Sequence, residues 1–255
     1  MSGPTAPLNL NADILELREF YDSRLGVAAE RAITAALTPL WHPIREERLV
    51  GIGYAVPFLD RFGPDCERAV ALMPAAQGAI PWPLGGPSQT ALVNIEELPL
   101  GDASVDRVLV VHALEFAESP PEFLSEIWRV LAPGGHVVVV VPNRRGVWTR
   151  FDHTPFGSGR PWSRGQLARL LREALFTPVR ATEALHFPPF RRRSLLGFAA
   201  GLEGFGRRAW PLFAGVTIVD ATKQVYRGIP VANARRERRR LVRPVLVPQG
   251  AGYSR

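Results

Sequence analysis

Glu126-Ile127-Trp128-Arg129-Val130-Leu131-Ala132-Pro133-Gly134-Gly135 runs directly into the apolar stretch Val137 to Val141. The first part carries helical spacing, which predicts a helix over Pro121 to Leu131. Pro133 cannot continue that helix, and two glycines then let the chain turn. Five consecutive valines follow, enough for a strand buried on both faces and far too few to cross a bilayer. Helix, Pro-Gly-Gly and buried strand together are the signature of one unit of a parallel sheet.

The pattern extends in both directions. Upstream, strands are expected over Arg48 to Ile52, Ala69 to Met73, Ala91 to Ile95 and Val105 to Val111, with Gly135 to Pro142 as the fifth. Phe58, Leu59 and Phe62 lie at helical spacing between the first two. Pro74 to Gln89 contains Pro74, Pro81, Pro83 and Pro87 with Gly78, Gly85 and Gly86, a density that forbids a regular helix. Downstream, Ser163 is placed to cap an amphipathic helix to Phe176 with Leu167, Leu170, Leu171 and Leu175 on one face. An apolar helix around Leu195 to Phe205 and a strand from Val216 to Tyr226 complete the pattern. Strands alternating with helices predict an α/β fold with helices on both faces of a mostly parallel sheet. Ligands of such sheets bind beyond the C-terminal strand ends, where the strand order reverses.

Three segments are expected. Residues 1–47 are helical and pack on the core, with Asn11 or Asp13 capping a helix to about Leu25 whose apolar face is Ile14, Leu15, Leu17, Phe20 and Leu25. Residues 48–226 form the α/β domain. Residues 227–255 are a basic tail, and it holds the charge: eight arginines against Glu237 account for the whole net charge of +7, leaving 23 basic and 23 acidic residues before it. One cysteine, Cys66, excludes a disulfide framework and a cysteine-based zinc cluster. Met1 to Leu10 lacks the basic and apolar regions of a signal peptide. A soluble, cytoplasmic protein without a transmembrane segment is the expectation.

Several strings carry a family resemblance: Glu97-Leu98-Pro99-Leu100, Ala103-Ser104-Val105-Asp106, Ala113-Leu114-Glu115, and Glu126 to Gly135. Together they resemble the central block of class I S-adenosylmethionine-dependent methyltransferases, in particular the small-molecule, type-11-like branch. The likeness extends over roughly Leu49 to Tyr226. It implies a Rossmann-like, seven-stranded, mostly parallel sheet whose last strand is antiparallel, with S-adenosylmethionine as cofactor.

The resemblance also marks departures. The family's first strand ends in an acid followed by Gly-x-Gly-x-Gly. Here the run is Gly51-Ile52-Gly53-Tyr54-Ala55-Val56-Pro57, with Gly51 for the acid, Ala55 for the second glycine and Pro57 for the third. Alanine adds a Cβ, and proline removes an N–H and fixes φ. The acid that grips the ribose at the end of the second strand is replaced by Met73-Pro74, with Gln77 and Gln89 the nearest substitutes. Asn94, beside Ile95, stands where the family places an aspartate against the adenine. By this mapping the cofactor is expected at Gly51, Gly53, Tyr54, Ala55, Met73, Asn94, Ile95 and His112. Trp82 is a candidate to cover the adenine.

Methyl transfer needs an aligned nucleophile and, for many acceptors, a base. His112 and Glu115 sit at the mouth of the fourth strand, and Asp152-His153 in the long loop Arg144 to Trp162 form a second acid–base candidate. The loop's arginines suit an anionic small-molecule substrate. No histidine pair has metal-ligand spacing, so no metal is expected. Three functions stand open: a methyltransferase acting on an unidentified small molecule, an inactive methyltransferase-like partner or regulatory subunit of another enzyme, and, well below both, a nucleic-acid-binding protein that uses the tail. The tail Arg235-Arg236-Glu237-Arg238-Arg239-Arg240 lacks interleaved aromatics, which points to a flexible basic arm that docks an acidic protein partner or solubilises the chain, rather than to nucleic acid.

Overall fold

The computed structural model describes residues 13–41, 44–190 and 213–224, with positions 201, 203, 204 and 206. The expected basic tail and most of the Leu195 to Phe205 helix lie outside them. Two helices, α1 (Ile14–Asp22) and α2 (Arg24–Leu37), lead into β1 (Arg48–Gly53), α3 (Val56–Phe62), β2 (Arg68–Pro74), β3 (Thr90–Val93) and β4 (Val105–Val111). Then come α4 (Pro120–Val130), β5 (Leu131–Pro142), α5 (Arg164–Glu173), β6 (Phe176–Ala184) and β7 (Val216–Lys223).

The seven strands lie in the order β3-β2-β1-β4-β5-β7-β6. β1 to β5 are parallel, and β7 runs antiparallel to both β5 and β6. This is the class I methyltransferase sheet. Its order reverses between β1 and β4, so the ends of those strands, Gly53 and Val111, mark the place for a ligand. One face of the sheet is covered by α1, α2 and α3, through Leu17, Ile33, Phe58 and Leu59. The other is covered by α4 and α5, through Phe123, Ile127 and Leu167.

The string that decides the fold has a specific job. Glu126 accepts from Arg129 and from the Leu98 N–H, while Arg129 donates to the Leu98 and Leu100 carbonyls and to Asp102. The pair therefore ties α4 to the segment between β3 and β4. Lys223 closes the same helix from the other side, donating to the Trp128 and Leu131 carbonyls at 2.7 and 2.6 Å.

Four details differ from the sequence expectation. Helix α4 ends at Val130, and Leu131 already pairs with Val105, so Pro133-Gly134-Gly135 makes an irregularity in the ladder rather than a turn before it. The first helix breaks at Ser23, which closes α1 through its N–H to the Phe20 carbonyl and opens α2 by accepting from Gly26. Tyr21 takes the inward position there, and Leu15 faces solvent. Helix α5 stops at Glu173. Leu175 is exposed with φ +67, because the chain must reverse to start β6. β6 itself was not expected: it is an edge strand, half exposed, with Pro178 at a register shift.

Candidate active site

The site is built on the end of β4. Val111 is the last residue of the strand, and His112 leaves it with φ +53, a left-handed conformation rare for a residue with a side chain. Strain of this kind persists only where the surroundings hold it. Tyr21 of α1 faces His112, with its hydroxyl 3.0 Å from Nε2. On the other side, Nδ1 lies 3.2 Å from Glu115 Oε1. His112 is 1% exposed, and Phe156 packs on its ring. The result is a buried Tyr21–His112–Glu115 chain with one carboxylate oxygen, Glu115 Oε2, left without a partner among the described residues. Burial raises the Tyr21 hydroxyl well above the ordinary phenol value, and the negative field of Tyr54, Glu115 and Glu30 raises it further.

Two clefts flank this chain. The first, about 270 Å³, is lined by Pro74, Gln77, Asn94, Ile95, Ala113 and Phe116 among others. Gln77 reaches from it to donate to the His112 carbonyl at 2.8 Å, leaving its own carbonyl oxygen buried and unpartnered. Asn94 accepts from the Glu96 N–H at 3.1 Å, which leaves its amide NH₂ for a ligand. The second cleft, about 350 Å³, is lined by Tyr21, Tyr54 and Trp82 with Asp22, Glu30 and Asp60. Trp82 thus stands in the second cleft, bonded to Asp60 at 2.7 Å, and not over the position beside Asn94.

The β1–α3 turn is shut. The Tyr54 N–H donates to the Val111 carbonyl at 2.9 Å, and a Cβ on Gly53, which has φ +83, would meet that oxygen. Positions 51 and 55 are in contact. A Cβ on Gly51 would lie 2.8 Å from both the Ala55 Cβ and Leu59 Cδ1, so the Ala55 methyl and Leu59 fill the room an acid would need. Met73 is fully buried, and its sulfur accepts from the Ile80 N–H at 3.3 Å. Gly51, Gly53, Tyr54, Ala55 and Met73 are therefore packed together, and only Asn94 and Ile95 of the expected cofactor residues line the first cleft.

The long loop is tied down rather than open. The Arg160 N–H donates to the Glu115 carbonyl, the Arg144 N–H to the Trp162 carbonyl, and the Trp162 N–H to the Pro142 carbonyl at the end of β5. Trp148, Phe156 and Trp162 are buried, whereas Phe151 is exposed. Asp152 and His153 face solvent and make no hydrogen bond to the His112 chain. Sequence reasoning missed Tyr21 and gave Gln77 only as a substitute for the ribose acid. The spacing Ile14, Leu17, Tyr21 was the available signal for the first.

Residues 51–139 match the family model described as a methyltransferase domain. A Mycolicibacterium smegmatis protein named a probable S-adenosylmethionine-dependent methyltransferase is 49% identical over 51 residues, which is 20% of this chain and 20% of that protein. A solved Thermotoga maritima S-adenosylmethionine-dependent methyltransferase superposes with a TM-score of 0.58 at 19% identity, covering 83% of this chain and 96% of that one. Residues 51–139 thus carry the likeness to the methyltransferase-domain family, and the sheet order is that of the class I methyltransferase fold. A Haloferax volcanii methyltransferase, solved with the Trm112 methyltransferase activator, shares the fold at TM-score 0.55 and 18% identity, over 82% of this chain and 97% of that chain. S-adenosylmethionine is the cofactor of this family, and it supplies an electrophilic methyl group on a sulfonium.

The fit of that cofactor divides in two. Its adenine end fits the first cleft, where Asn94 offers a free amide and Ile95 and Phe116 offer apolar walls. Its ribose lacks the acid that the resemblance leads one to expect, and its methionine end does not fit the packing seen here. No carboxylate stands at Met73, and the Val111 and His112 carbonyls already accept from the Tyr54 N–H and the Gln77 amide. Among the described residues there is no cluster suited to a metal ion and no helix long and apolar enough to cross a membrane.

Proposed function

We propose that this chain is an S-adenosylmethionine-dependent methyltransferase acting on a small molecule. The carrying observation is the strained, buried His112, whose carbonyl is held by Gln77 of one cleft and whose ring is held by Tyr21 of the other. In this reading Asn94 and Ile95 hold the adenine. Glu115 orients the His112 ring by holding its Nδ1 at 3.2 Å. His112 Nε2 then takes a proton through the Tyr21 hydroxyl, which borders the second cleft. Gln77 and Tyr21 must shift before the methionine end can enter, which lowers apparent affinity by the fraction of time the passage is open.

Asp152 and His153 have no part in this chemistry. A second reading rests on the closed β1–α3 turn: the chain serves as an inactive partner of another enzyme. The solved pairing of a methyltransferase with Trm112 belongs to the Haloferax volcanii protein, and for this chain a protein partner is part of the second reading only.

Calorimetric titration of S-adenosylmethionine into the full chain separates the two. Saturable binding supports the enzyme. Absence of binding at millimolar cofactor, in protein shown to be folded, overturns it and favours the partner, which is then sought by repeating the titration with co-purifying proteins.

A further inference from the structure

The second cleft has a chemistry of its own. Its floor is aromatic: Tyr21 and Tyr54 stack with ring centroids 5.3 Å apart, and Trp82 is buried beside them. Its rim is acidic, with Asp22, Glu30 and Asp60 against a single base, Arg18. Arg18 pairs with Asp22 only at 3.7 Å, and both side chains are more than half exposed, so the pair neutralises little. Asp60 spends one oxygen on the Trp82 N–H and keeps the other.

A further observation points to a ligand. Tyr54 is 3% exposed and lines the cleft, yet no described group hydrogen-bonds its hydroxyl. That hydroxyl opens on the cleft, where a molecule with a donor or acceptor can bond it. Burial pushes this hydroxyl up to about 12, and Asp22 and Asp60 add to the shift more than Arg18 subtracts. The cleft therefore carries negative potential over aromatic faces. Carboxylates and ring faces at one place recognise a cation with an apolar body, by charge and by cation–π attraction. A volume near 350 Å³ lies within the range of small-molecule sites.

We propose that the cleft between α1, the β1–α3 turn and Trp82 binds a small organic amine in its cationic form. This replaces the anionic substrate suggested by the loop arginines, since Arg144, Arg145, Arg150 and Arg160 do not line this cleft. As the identity of the methyl acceptor the inference rests on the methyltransferase reading. As a binding site it stands apart from that reading.

The probe is 2-phenylethylamine, titrated by calorimetry into the full chain at pH 7 beside its uncharged analogue 2-phenylethanol and its anionic analogue phenylacetate. The amine is expected to bind at least tenfold more tightly than the alcohol, and phenylacetate not to bind. A Glu30→Gln/Asp60→Asn variant, checked for native unfolding behaviour, is expected to lose at least tenfold of the amine affinity. Single Glu30→Gln and Asp60→Asn variants serve if the double variant does not fold. Equal affinity for amine and alcohol, or amine affinity unchanged by both substitutions, overturns the proposal. S-adenosylmethionine titrated into the same wild-type protein keeps the two claims apart. Cofactor binding without amine binding sinks only the cationic cleft, and amine binding without cofactor binding sinks only the methyltransferase reading.

Discussion

The α4–β5 junction and the β1–α3 turn stand at opposite ends of the same sheet and depart from the family to opposite degrees. At the junction, Glu126 and Arg129 keep the family's residues, because they hold backbone groups of the segment before β4. Those hydrogen bonds are needed whatever ligand the protein carries. At the turn, where the resemblance leads one to expect an acid and a second glycine, the Ala55 methyl and Leu59 occupy the space beside Gly51. The comparison teaches that fold-holding and ligand-holding motifs answer to different constraints. A chain can keep one intact while repacking the other.

The strongest way to break this comparison is to restore the acid. Gly51→Asp places a buried carboxylate against Ala55 and Leu59, so a loss of about 4 kcal/mol or more is expected in denaturant unfolding. Adding Ala55→Gly should recover part of that loss. A well-tolerated single Gly51→Asp would show that the turn is not repacked.

Next in size, Arg129→Ala removes the donors to Leu98, Leu100 and two carboxylates in a partly exposed setting, for an expected cost of roughly 2–3 kcal/mol. Acid sharpens the same point. The Arg129 guanidinium holds Glu126 below its ordinary value, and the Arg48 guanidinium does the same for Asp106. Both carboxyls are depressed in the folded chain, so the stability they contribute is complete above the ordinary carboxylate range. It is lost as pH falls through their folded values. Melting temperature should drop across that acidic window, less steeply for Glu126→Gln. The smallest effect belongs to the loop: Asp152→Asn and His153→Ala should change stability by no more than about 0.5 kcal/mol, since both face solvent, and leave cofactor affinity unaltered.

How much was legible follows from the same distinction. Five parallel strands, the last antiparallel strand and both helix layers could be read because buried apolar runs and helical spacing are local signals. β6 could not, since an edge strand carrying Pro178, Arg180 and Glu183 has no apolar alternation to detect. At the site, His112 and Glu115 were readable from their place at a strand mouth, and the structure joins them. Their third member, Tyr21, lies 91 residues away in sequence, and only tertiary packing brings it there. The Asp152-His153 pair shows the converse: adjacent acid and base in the chain, facing away from the buried group.

The central claim is that the adenosine half of the cofactor site is open and the methionine half is closed by Gln77, Tyr21 and the β1–α3 turn. Calorimetric titration of adenosine and of S-adenosylhomocysteine into the same protein tests it most directly. The account expects both to bind, with affinities within about tenfold of each other, because the methionine end must displace packed side chains before it contributes. S-adenosylhomocysteine binding a thousandfold more tightly than adenosine would contradict it, since that gain requires a methionine half already open.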